Sequence, residues 1–329
     1  MRSTLERIAA RGIGLLRGKA PSLASEGAPF QVYRGYTPEH EALLQTFVIG
    51  QARIETDRFV DGFGQVTLRS CVPFAKTFDL AKLTFPVPND GYHAEAPEYV
   101  AVADAVSRAR TSFAIAEVGA GWGPWLGLGG VLARNKGLAD VTLIGVEALP
   151  ARFELLGDHM RANGFVPGAS DQALPRTTCR LFNGAVAPTR GELWFPDVPV
   201  TDMGPAASDT ANERDYRGAR VKNLRVQAFP LEEVIGGATL DLLHIDIQGS
   251  ELALVQGNVD LLADRVRSMM IGTHSRVIEG ALIELLYANG WTLELEKPCR
   301  VAWREHPVSQ EAMTEVDGCQ YWRRSRGTR

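Results

Sequence analysis

The sequence predicts a doubly wound α/β fold whose central sheet is mostly parallel. The apolar segment 113–118 (FAIAEV) breaks into glycines at alternate positions, and Pro124 then begins a helix-like segment. A short, almost wholly apolar run is typical of a parallel strand that is covered on both faces. From this point the chain alternates between such runs and helix-like segments. A strand, a glycine turn and a helix together predict a pocket for a nucleotide-like ligand.

Composition limits the class of protein and its partners. The 329 residues are 45% hydrophobic and 22% charged, which is typical of an ordinary globular protein without a transmembrane segment. A net charge of −4 gives no global electrostatic reason to expect a nucleic-acid partner. The four cysteines are far apart in the sequence and form no CxxC pair. Neither a zinc site nor a disulfide framework is indicated, so we expect a reducing, cytoplasmic setting.

The chain begins with a basic leader over residues 1–29. Arg7, Arg11 and Arg17 interrupt its apolar residues too often for a signal-peptide core. Residues 1–19 fit a short amphipathic helix with arginines on one side. Such a helix would make weak contact with an anionic membrane surface or with a second copy of the chain in a homo-oligomer, and the alternative is a frayed leader.

The sequence predicts an N-terminal extension over residues 30–94 that contains both helix and strands. Thr37–Gly50 has helical spacing, and Arg53–Leu68 is rich in β-formers and turn glycines. A helix over Glu95–Ala109 would lead directly into the central strand. His93 and Glu95 would then lie near the mouth of the pocket and contact the substrate, the alternative being solvated loop residues.

The glycine turn indicates which nucleotide-like ligand is expected. Its pattern is GxGxG, and Pro124 occupies the position of the third glycine in the dinucleotide fingerprint. The carboxylate of Glu117 would repel a pyrophosphate but would accept a hydrogen bond from an ammonium or hydroxyl group. S-adenosylmethionine is therefore favoured, with a nicotinamide-dependent oxidoreductase or a turn without a ligand as alternatives. The predicted cofactor-binding residues of the turn are Glu117, Gly119, Ala120, Gly121, Trp122 and Gly123.

The next two predicted strands complete the cofactor site. Val141–Val146 ends in Glu147, whose position after the second strand suits contact with both ribose hydroxyls, although a carboxylate at a helix N-terminus is the alternative. Thr178–Phe182 runs into a segment that we expect at the edge of the adenine. Its residues are Asn183, Gly184 and Ala185.

Residues 196–223 are mostly turn-forming and charged residues and are too many for a plain connection. Insertions of this kind are typical of binding loops. We therefore expect a lid over the second substrate, the alternative being a loop without substrate contact.

The segment 239–251 (TLDLLHIDIQGSE) carries the candidate chemistry. Side chains alternate along the predicted strand Leu240–Ile247, so His244 and Asp246 share one face near the ligand crevice. Ser250 and Glu251 then begin a predicted helix that ends near Arg265, and a last parallel strand over Val266–Thr273 ends in His274. Beyond it, Trp291–Glu296 and Cys319–Arg323 predict a terminal antiparallel hairpin.

Three features resemble the FkbM-type S-adenosylmethionine-dependent methyltransferases. They are EVGAGWG at 117–123, Glu147, and above all DLLHIDIQGSELALVQG at 241–257. The resemblance covers roughly residues 95–295 and implies a seven-stranded, Rossmann-like class I methyltransferase domain, which we place at 95–329. It also implies O-methylation, often of sugar hydroxyls in glycans or natural products, so the expected partner is a small-molecule or glycan acceptor.

This chain departs from the family pattern at three positions. His244 stands where the family usually has lysine, Gln248 where it has glutamate, and Gly272 where an acidic residue is common. These departures concern the catalytic residues more than the cofactor site. Gln248 lies beside the predicted crevice, and we count it among the substrate-binding candidates.

Methyl transfer from a sulfonium requires an aligned acceptor oxygen and a group that takes its proton. Asp246 is the first candidate for the base, because a buried carboxylate without a role would be costly, and it would also face the cofactor. His274 and His244 are the further candidates. The alternatives are that His274 is a capping group and His244 a core histidine.

A divalent metal is possible but not favoured. Asp246 and a neighbouring carboxylate could supply hard oxygen ligands that acidify two sugar hydroxyls. No cluster such as DxD stands beside Asp246, which favours a metal-independent reaction. A second alternative is a module that binds the cofactor without catalysis.

Overall fold

The structure is a computed structural model that describes most of the chain in several segments. The predicted leader at 1–29, His93 and Glu95 lie outside the described residues, so their roles stay predictions. The described residues are 33–72, 96–168, 170–171, 176–215, 218–303, 305–307 and 311–324.

Helices and strands alternate through the described chain. The helices are α1 (Pro38–Gln45), α2 (Ala96–Arg108), α3 (Pro124–Asn135), α4 (Pro150–Ala162), α5 (Leu231–Ile235), α6 (Glu251–Gly257), α7 (Val259–Arg265) and α8 (Arg276–Ala288). The strands are β1 (Arg53–Ile54), β2 (Arg58–Val60), β3 (Val66–Leu68), β4 (Ser112–Val118), β5 (Asp140–Glu147), β6 (Ser170–Asp171), β7 (Arg176–Asn183), β8 (Ala185–Val186), β9 (Gly191–Asp197), β10 (Lys222–Phe229), β11 (Leu242–Ile245), β12 (Ser268–Thr273), β13 (Trp291–Lys297), β14 (Arg300–Val301), β15 (Thr314–Val316) and β16 (Gly318–Arg324).

The central sheet has the order β13-β16-β12-β11-β4-β5-β7-β6. Strands β7, β5, β4, β11 and β12 are parallel, and β16 runs antiparallel to both β12 and β13. The predicted seven-stranded, mostly parallel sheet with a terminal antiparallel pair is confirmed. An eighth strand, the two-residue β6, adds an antiparallel edge beyond β7.

The parallel register brings the polar strand ends to one edge of the sheet. His244 lies opposite Glu117 on β4, and Ile245 lies opposite Val118. Backbone hydrogen bonds continue the pairing past the strands, since Asp246 N donates to Val118 O at 2.9 Å. The loops that follow β4, β5 and β11 are therefore held side by side, as expected for a ligand crevice.

Helices cover both faces of the sheet. One core lies between the sheet and helices α2 and α3, and the N-terminal extension contributes Tyr33, Leu44 and Phe63 to it. The other core lies under α5, α6 and α8. The extension forms the small antiparallel sheet β1-β2-β3, so the predicted strands there are confirmed. It packs on the same core as the main domain.

Two segments of the chain leave the central sheet and reach the crevice. The first is a hairpin of β9 and β10 with β8 alongside, and its strands include both ends of the predicted 196–223 loop. The second is the hairpin β14–β15, which lies in the connection between β13 and β16. We call residues 198–209 of the first the cover loop, and the described residues 300–303 and 311–317 of the second the edge hairpin.

Two predicted elements differ from the structure. The strand predicted over Leu240–Ile247 is shorter in the structure, where it spans Leu242–Ile245, so Asp246 follows the strand. The helix expected after Ser250 is interrupted at Asn258, whose backbone leaves the helical region at φ −128° and ψ 21°. The Asn258 side-chain amide donates to Leu254 O at 2.8 Å and competes with the helical pattern at that turn.

Among the residues that the structure describes, no helix combines the length and the apolar sequence needed to cross a bilayer.

Candidate active site

A cavity of about 910 Å³ opens at the carboxyl ends of β4, β5 and β11. Its position is the one expected for ligands in an open parallel α/β sheet. Its lining includes Gly119, Gly121, Glu147, Arg152, Gly184, Ala185, Met203, Asp246, Gln248, Thr314, Glu315 and Asp317.

The glycine turn after β4 has left-handed backbone conformation at all three glycines. Gly119, Gly121 and Gly123 have φ values of 78°, 56° and 77°. A Cβ on Gly119 would overlap the backbone oxygen of Asp246. Only glycine lets the two loops approach this closely, so the turn brings the β4 and β11 loops together.

Glu147 ends β5 and faces the cavity. Its Oε2 accepts from Gly121 N and its Oε1 from Leu149 N, both at 2.8 Å. Burial raises the pKa of Glu147, and the charge of Arg152 and these hydrogen bonds oppose that effect only in part. Each oxygen keeps a further lone pair, so the carboxyl group can bind two neighbouring hydroxyls.

Glu117 does not line the cavity, contrary to the expected contact with an ammonium group. It is 1% exposed, and its Oε2 accepts from Leu126 N at 2.7 Å in the first turn of α3. Burial raises the pKa of Glu117 to about 8. The neighbouring Val118 reaches the cavity because successive strand residues point to opposite faces. Among the turn residues, Gly119 and Gly121 line the cavity, whereas Ala120, Trp122 and Gly123 do not.

Asn183 also lies outside the lining. Its side-chain amide donates to Glu147 O at 2.9 Å and to Ala148 O at 3.3 Å, which ties the β7 end to the β5 end. Gly184 and Ala185 line the cavity as expected. Both amide hydrogens thus hold the backbone of the β5 end, and the predicted contact of this amide with adenine stays a prediction, for its oxygen Oδ1.

Asp246, His274 and Glu251 form a hydrogen-bonded row. His274 Nε2 lies 3.2 Å from Asp246 Oδ1, and His274 Nδ1 lies 2.9 Å from Glu251 Oε1. The Asp246 side chain is 39% exposed, whereas those of His274 and Glu251 are 4% and 0% exposed. Asp246 therefore faces the cavity, and the other two lie behind it.

The charges of this row follow from its hydrogen bonds. Burial lowers the pKa of His274, but hydrogen bonds to Asp246 and Glu251 outweigh it and raise the pKa well above 6.5. Burial raises the pKa of Asp246, but the hydrogen bond from His274 and its charge outweigh that effect and lower the pKa. At neutral pH the row therefore holds an imidazolium beside the Asp246 carboxylate, and Asp246 is the group with open acceptor capacity toward the cavity.

Glu251 also fixes the loop that carries Asp246. Its carboxylate accepts from Ile247 N at 3.1 Å and from Gly249 N at 3.0 Å. Between these residues Gln248 has φ 53°, which is uncommon for a residue other than glycine. Gln248 Nε2 donates to Asp246 Oδ1 at 3.2 Å, so this lining residue helps orient the carboxylate.

Asp246, Glu251 and His274 are also close enough to hold a metal ion, because their possible ligand atoms all lie within 4.8 Å of one another. Among the described residues, these three form the group that meets this distance. Their arrangement suits hydrogen bonds better. Asp246 contacts Nε2 and Glu251 contacts Nδ1, which lie on opposite edges of the His274 ring, and one ion could bind only one of these nitrogens.

His244 lies in a second buried cluster rather than beside Asp246 in the cavity. Its Nε2 lies 3.1 Å from Glu98 Oε1 of α2, and its ring lies 5.8 Å from that of Trp125. Burial lowers the pKa of His244, but the hydrogen bond to Glu98 and the charge of Glu117 outweigh it and raise the pKa. The cavity lining does not include His244. The structure therefore separates it from an acceptor in the cavity.

The cover loop lies over the glycine turn. Arg152, 5% exposed on α4, donates to Val200 O at 3.4 Å and to Asp202 O. Met203 lines the cavity, and its Cε would lie 3.1 Å from a Cβ on Gly121. Residues 203–209 of the predicted lid line the cavity, and their contact with a second substrate stays a prediction.

Sequence reasoning missed three residues that organise this site. Sequence reasoning identifies Glu251 only as the start of a helix, although a carboxylate two residues after Gly249 is placed to accept the backbone N–H groups of that loop. Arg152 and Glu98 gave no local signal, because their partners lie 50 and 146 residues away in the sequence.

Comparison with known proteins shows the family of this chain. A family model described as the methyltransferase FkbM domain matches residues 130–280. A curated protein of Jannaschia sp. (strain CCS1), described as a "Putative methyltransferase", is 35% identical over 227 residues, which cover 68% of this chain and 77% of that protein. The chain belongs to the FkbM methyltransferase family. The sheet has the strand order and flanking helices of the class I, Rossmann-like methyltransferases.

Solved structures with similar folds include an FkbM methyltransferase from Methylobacillus flagellatus KT. It is 15% identical with a TM-score of 0.37, and the match covers 69% of this chain and about half, 54%, of that one. A precorrin-6y C5,15-methyltransferase from Geobacter metallireducens GS-15 is 11% identical with a TM-score of 0.38, and the match covers 76% of this chain and 95% of that one.

Proposed function

We propose that this FkbM-family protein is an S-adenosylmethionine-dependent O-methyltransferase that methylates a hydroxyl of a sugar, in a glycan, glycolipid or glycosylated natural product. The observation that carries the proposal is the Asp246 carboxylate. It opens into the cavity beside the glycine turn and is held from behind by His274 and Glu251.

The residues present fit S-adenosylmethionine. The backbone of Gly119 and Gly121 leaves room where a side chain would fill the cavity or clash. Glu147 offers two acceptor oxygens for the ribose hydroxyls, and Gly184 and Ala185 offer backbone groups and an apolar surface for the adenine. When bound, this cofactor supplies an electrophilic methyl group on a sulfonium.

The chain's own residues align the acceptor and take its proton. Asp246 would accept a hydrogen bond from the acceptor hydroxyl and take the proton as the new carbon–oxygen bond forms. A weakly basic carboxylate suffices, because the hydroxyl becomes strongly acidic only during attack. His274 keeps Asp246 ionised and oriented, and Gln248 holds the same oxygen from the cavity side.

The charge of the lining supports an uncharged acceptor. Its carboxyl groups include Glu147, Asp246, Glu315 and Asp317, whereas Arg152 is committed to carbonyls of the cover loop. Carboxylates are good acceptors for sugar hydroxyls and repel phosphate groups. A neutral sugar fits this lining better than a phosphorylated one.

The proposal also includes two expectations from the sequence. We divide the chain into the leader 1–29, the extension 30–94 and the methyltransferase domain 95–329. We also place the protein in the cytoplasm, which four buried free cysteines support.

The test is transfer of a labelled methyl group from S-adenosylmethionine to methyl glycosides of glucose, galactose, mannose and rhamnose. We expect one series to be methylated, with the product located by mass spectrometry. Calorimetry should show binding of S-adenosylmethionine and none of NADH. Cofactor binding without transfer to any sugar would support a non-catalytic module or another acceptor, and NADH binding would support an oxidoreductase.

A further inference from the structure

Trp303 is the most exposed large apolar side chain among the described residues, with 81% of its surface in solvent. It belongs to the edge hairpin, two residues after the end of β14. Single exposed apolar residues are ordinary on protein surfaces, but a whole indole in water on a hairpin that lines a ligand cavity is typical of a binding surface.

The pairing of the edge hairpin shows how near Trp303 lies to Thr314 along the chain. Val301 lies opposite Thr314, and the bond from Ala302 N to Met313 O at 2.9 Å belongs to this pair. Residues directly opposite each other share a face, so Val301 and Thr314 lie on one face of the hairpin. Trp303 follows Val301 by two residues, and both side chains are exposed.

The other strand of the hairpin contributes to the wall of the cavity, whereas Trp303 itself lies outside the lining. Thr314 lines the cavity, and its Oγ1 donates to the backbone oxygen of His274 at 2.6 Å. The hairpin is thus fixed to the end of β12, where His274 pairs with Asp246. Trp303 lies two residues beyond the position opposite Thr314, which is at most about 7 Å along the chain.

The chemistry around Trp303 suits a pyranose ring. The C–H groups of a sugar face carry partial positive charge and stack on the electron-rich face of an aromatic ring, while hydroxyls at the ring edge need acceptors. Glu315 and Asp317 line the cavity in the same hairpin, and Arg300 holds the Glu315 carboxylate at 3.3 Å.

We propose that Trp303 and the edge hairpin form an outer subsite for a second, uncharged sugar ring of the acceptor. The sugar that receives the methyl group lies at Asp246, and the next ring of the chain stacks on the indole. The acceptor is then an oligosaccharide or glycan chain rather than a single sugar. This inference rests on the proposed function, because it takes a sugar as the acceptor.

The test compares two acceptors of one sugar series, a methyl monoglycoside and the corresponding methyl diglycoside, in the native protein and in Trp303→Ala. We expect the variant to raise KM for the diglycoside by roughly three- to tenfold, the scale of one aromatic contact. The kcat for the diglycoside and both constants for the monoglycoside should stay within about twofold. Trp303→Phe should restore most of the lost affinity, because it keeps a stacking face.

Val277→Ala is the matched control, since Val277 is an exposed apolar residue of α8 at 58% exposure and lies outside the cavity lining. It should change neither KM. Equal effects of Trp303→Ala on both acceptors, or no effect on the diglycoside, would overturn the outer subsite and leave the proposed function standing. If the native protein methylates neither acceptor of any series, the proposed function fails first.

Discussion

Two histidine–carboxylate clusters stand at neighbouring strands of this molecule, and one of them reaches the cavity. His274 is paired with Asp246 and Glu251, and His244 is paired with Glu98 beside Glu117. In both, carboxylates raise the pKa of a buried imidazole. The first includes a carboxylate that is 39% exposed, whereas the second is enclosed by α2 and α3. The two clusters therefore share the same residue types, and access to the cavity is what distinguishes them.

Replacing the exposed carboxylate should have the largest effect. We expect Asp246→Asn to lower kcat by about 10²–10⁴-fold, the usual contribution of a general base, with S-adenosylmethionine affinity largely kept. The measurements are methyl transfer and calorimetry. Asp241→Asn is the matched control, because Asp241 is a buried carboxylate at the start of the same segment and accepts from Ala114 N at 2.9 Å. It should cost stability and leave kcat unchanged.

The second prediction compares the hidden carboxylates of the two clusters. Glu251→Gln should lower kcat roughly ten- to a hundredfold, because a neutral amide holds the imidazolium and the Asp246 loop less firmly. Glu98→Gln should leave kcat within about twofold and lower the free energy of unfolding by about 1–3 kcal/mol. Steady-state kinetics and urea unfolding of both variants check this. Equal losses of kcat would show that the His244 cluster also serves catalysis.

Glu117, in the enclosed cluster, should make the free energy of unfolding depend on pH. The pKa of Glu117 is raised to about 8 in the folded chain from an ordinary 4.5, so the folded state holds its proton more tightly than the unfolded state. Its contribution to stability is present below pH 4.5 and is lost as the pH rises to about 8.

Glu117→Gln removes this contribution. Relative to native protein, the variant should therefore gain stability between pH 5 and 8, by up to several kcal/mol, at about 1.4 kcal/mol for each unit of pKa shift. Urea unfolding of both proteins at several pH values measures the difference. A difference that does not change with pH would contradict the burial of an ionisable Glu117.

A smaller change tests the position of Asp246. A Cβ on Gly272 would lie 3.2 Å from Asp246 Cγ, closer than side chains normally pack. Gly272→Ala should shift the carboxylate by a few tenths of an ångström and lower kcat severalfold with little change in KM for the cofactor. Gly280→Ala is the control, because a Cβ there meets nothing within 4 Å. It should leave kcat unchanged.

Metal removal should have the smallest effect. Because Asp246 and Glu251 bind opposite edges of His274, we expect EDTA to leave methyl transfer within about twofold of its value in added magnesium. A large loss that magnesium restores would show that the cluster rearranges around an ion.

The sequence predicted the sheet well because its signals are local. Apolar runs, glycine turns and helix starts lie within a few residues of one another, and the terminal pair of β13 and β16 was found from its residue types. The site was predicted only in part. Asp246 and Glu147 follow strands, and their positions can be inferred from topology. By contrast, the orientation of Glu117 and the partner of His244 depend on packing with α3 and α2, which no local pattern encodes.

The edge hairpin has a further consequence for how this protein can diversify. The hairpin lies in the connection between β13 and β16, and it takes no part in the pairing of these two strands. Surface connections tolerate insertion and replacement at low cost to folding. A new hairpin could therefore alter the choice of acceptor while the donor pocket, built on β4, β5 and β7, is inherited unchanged.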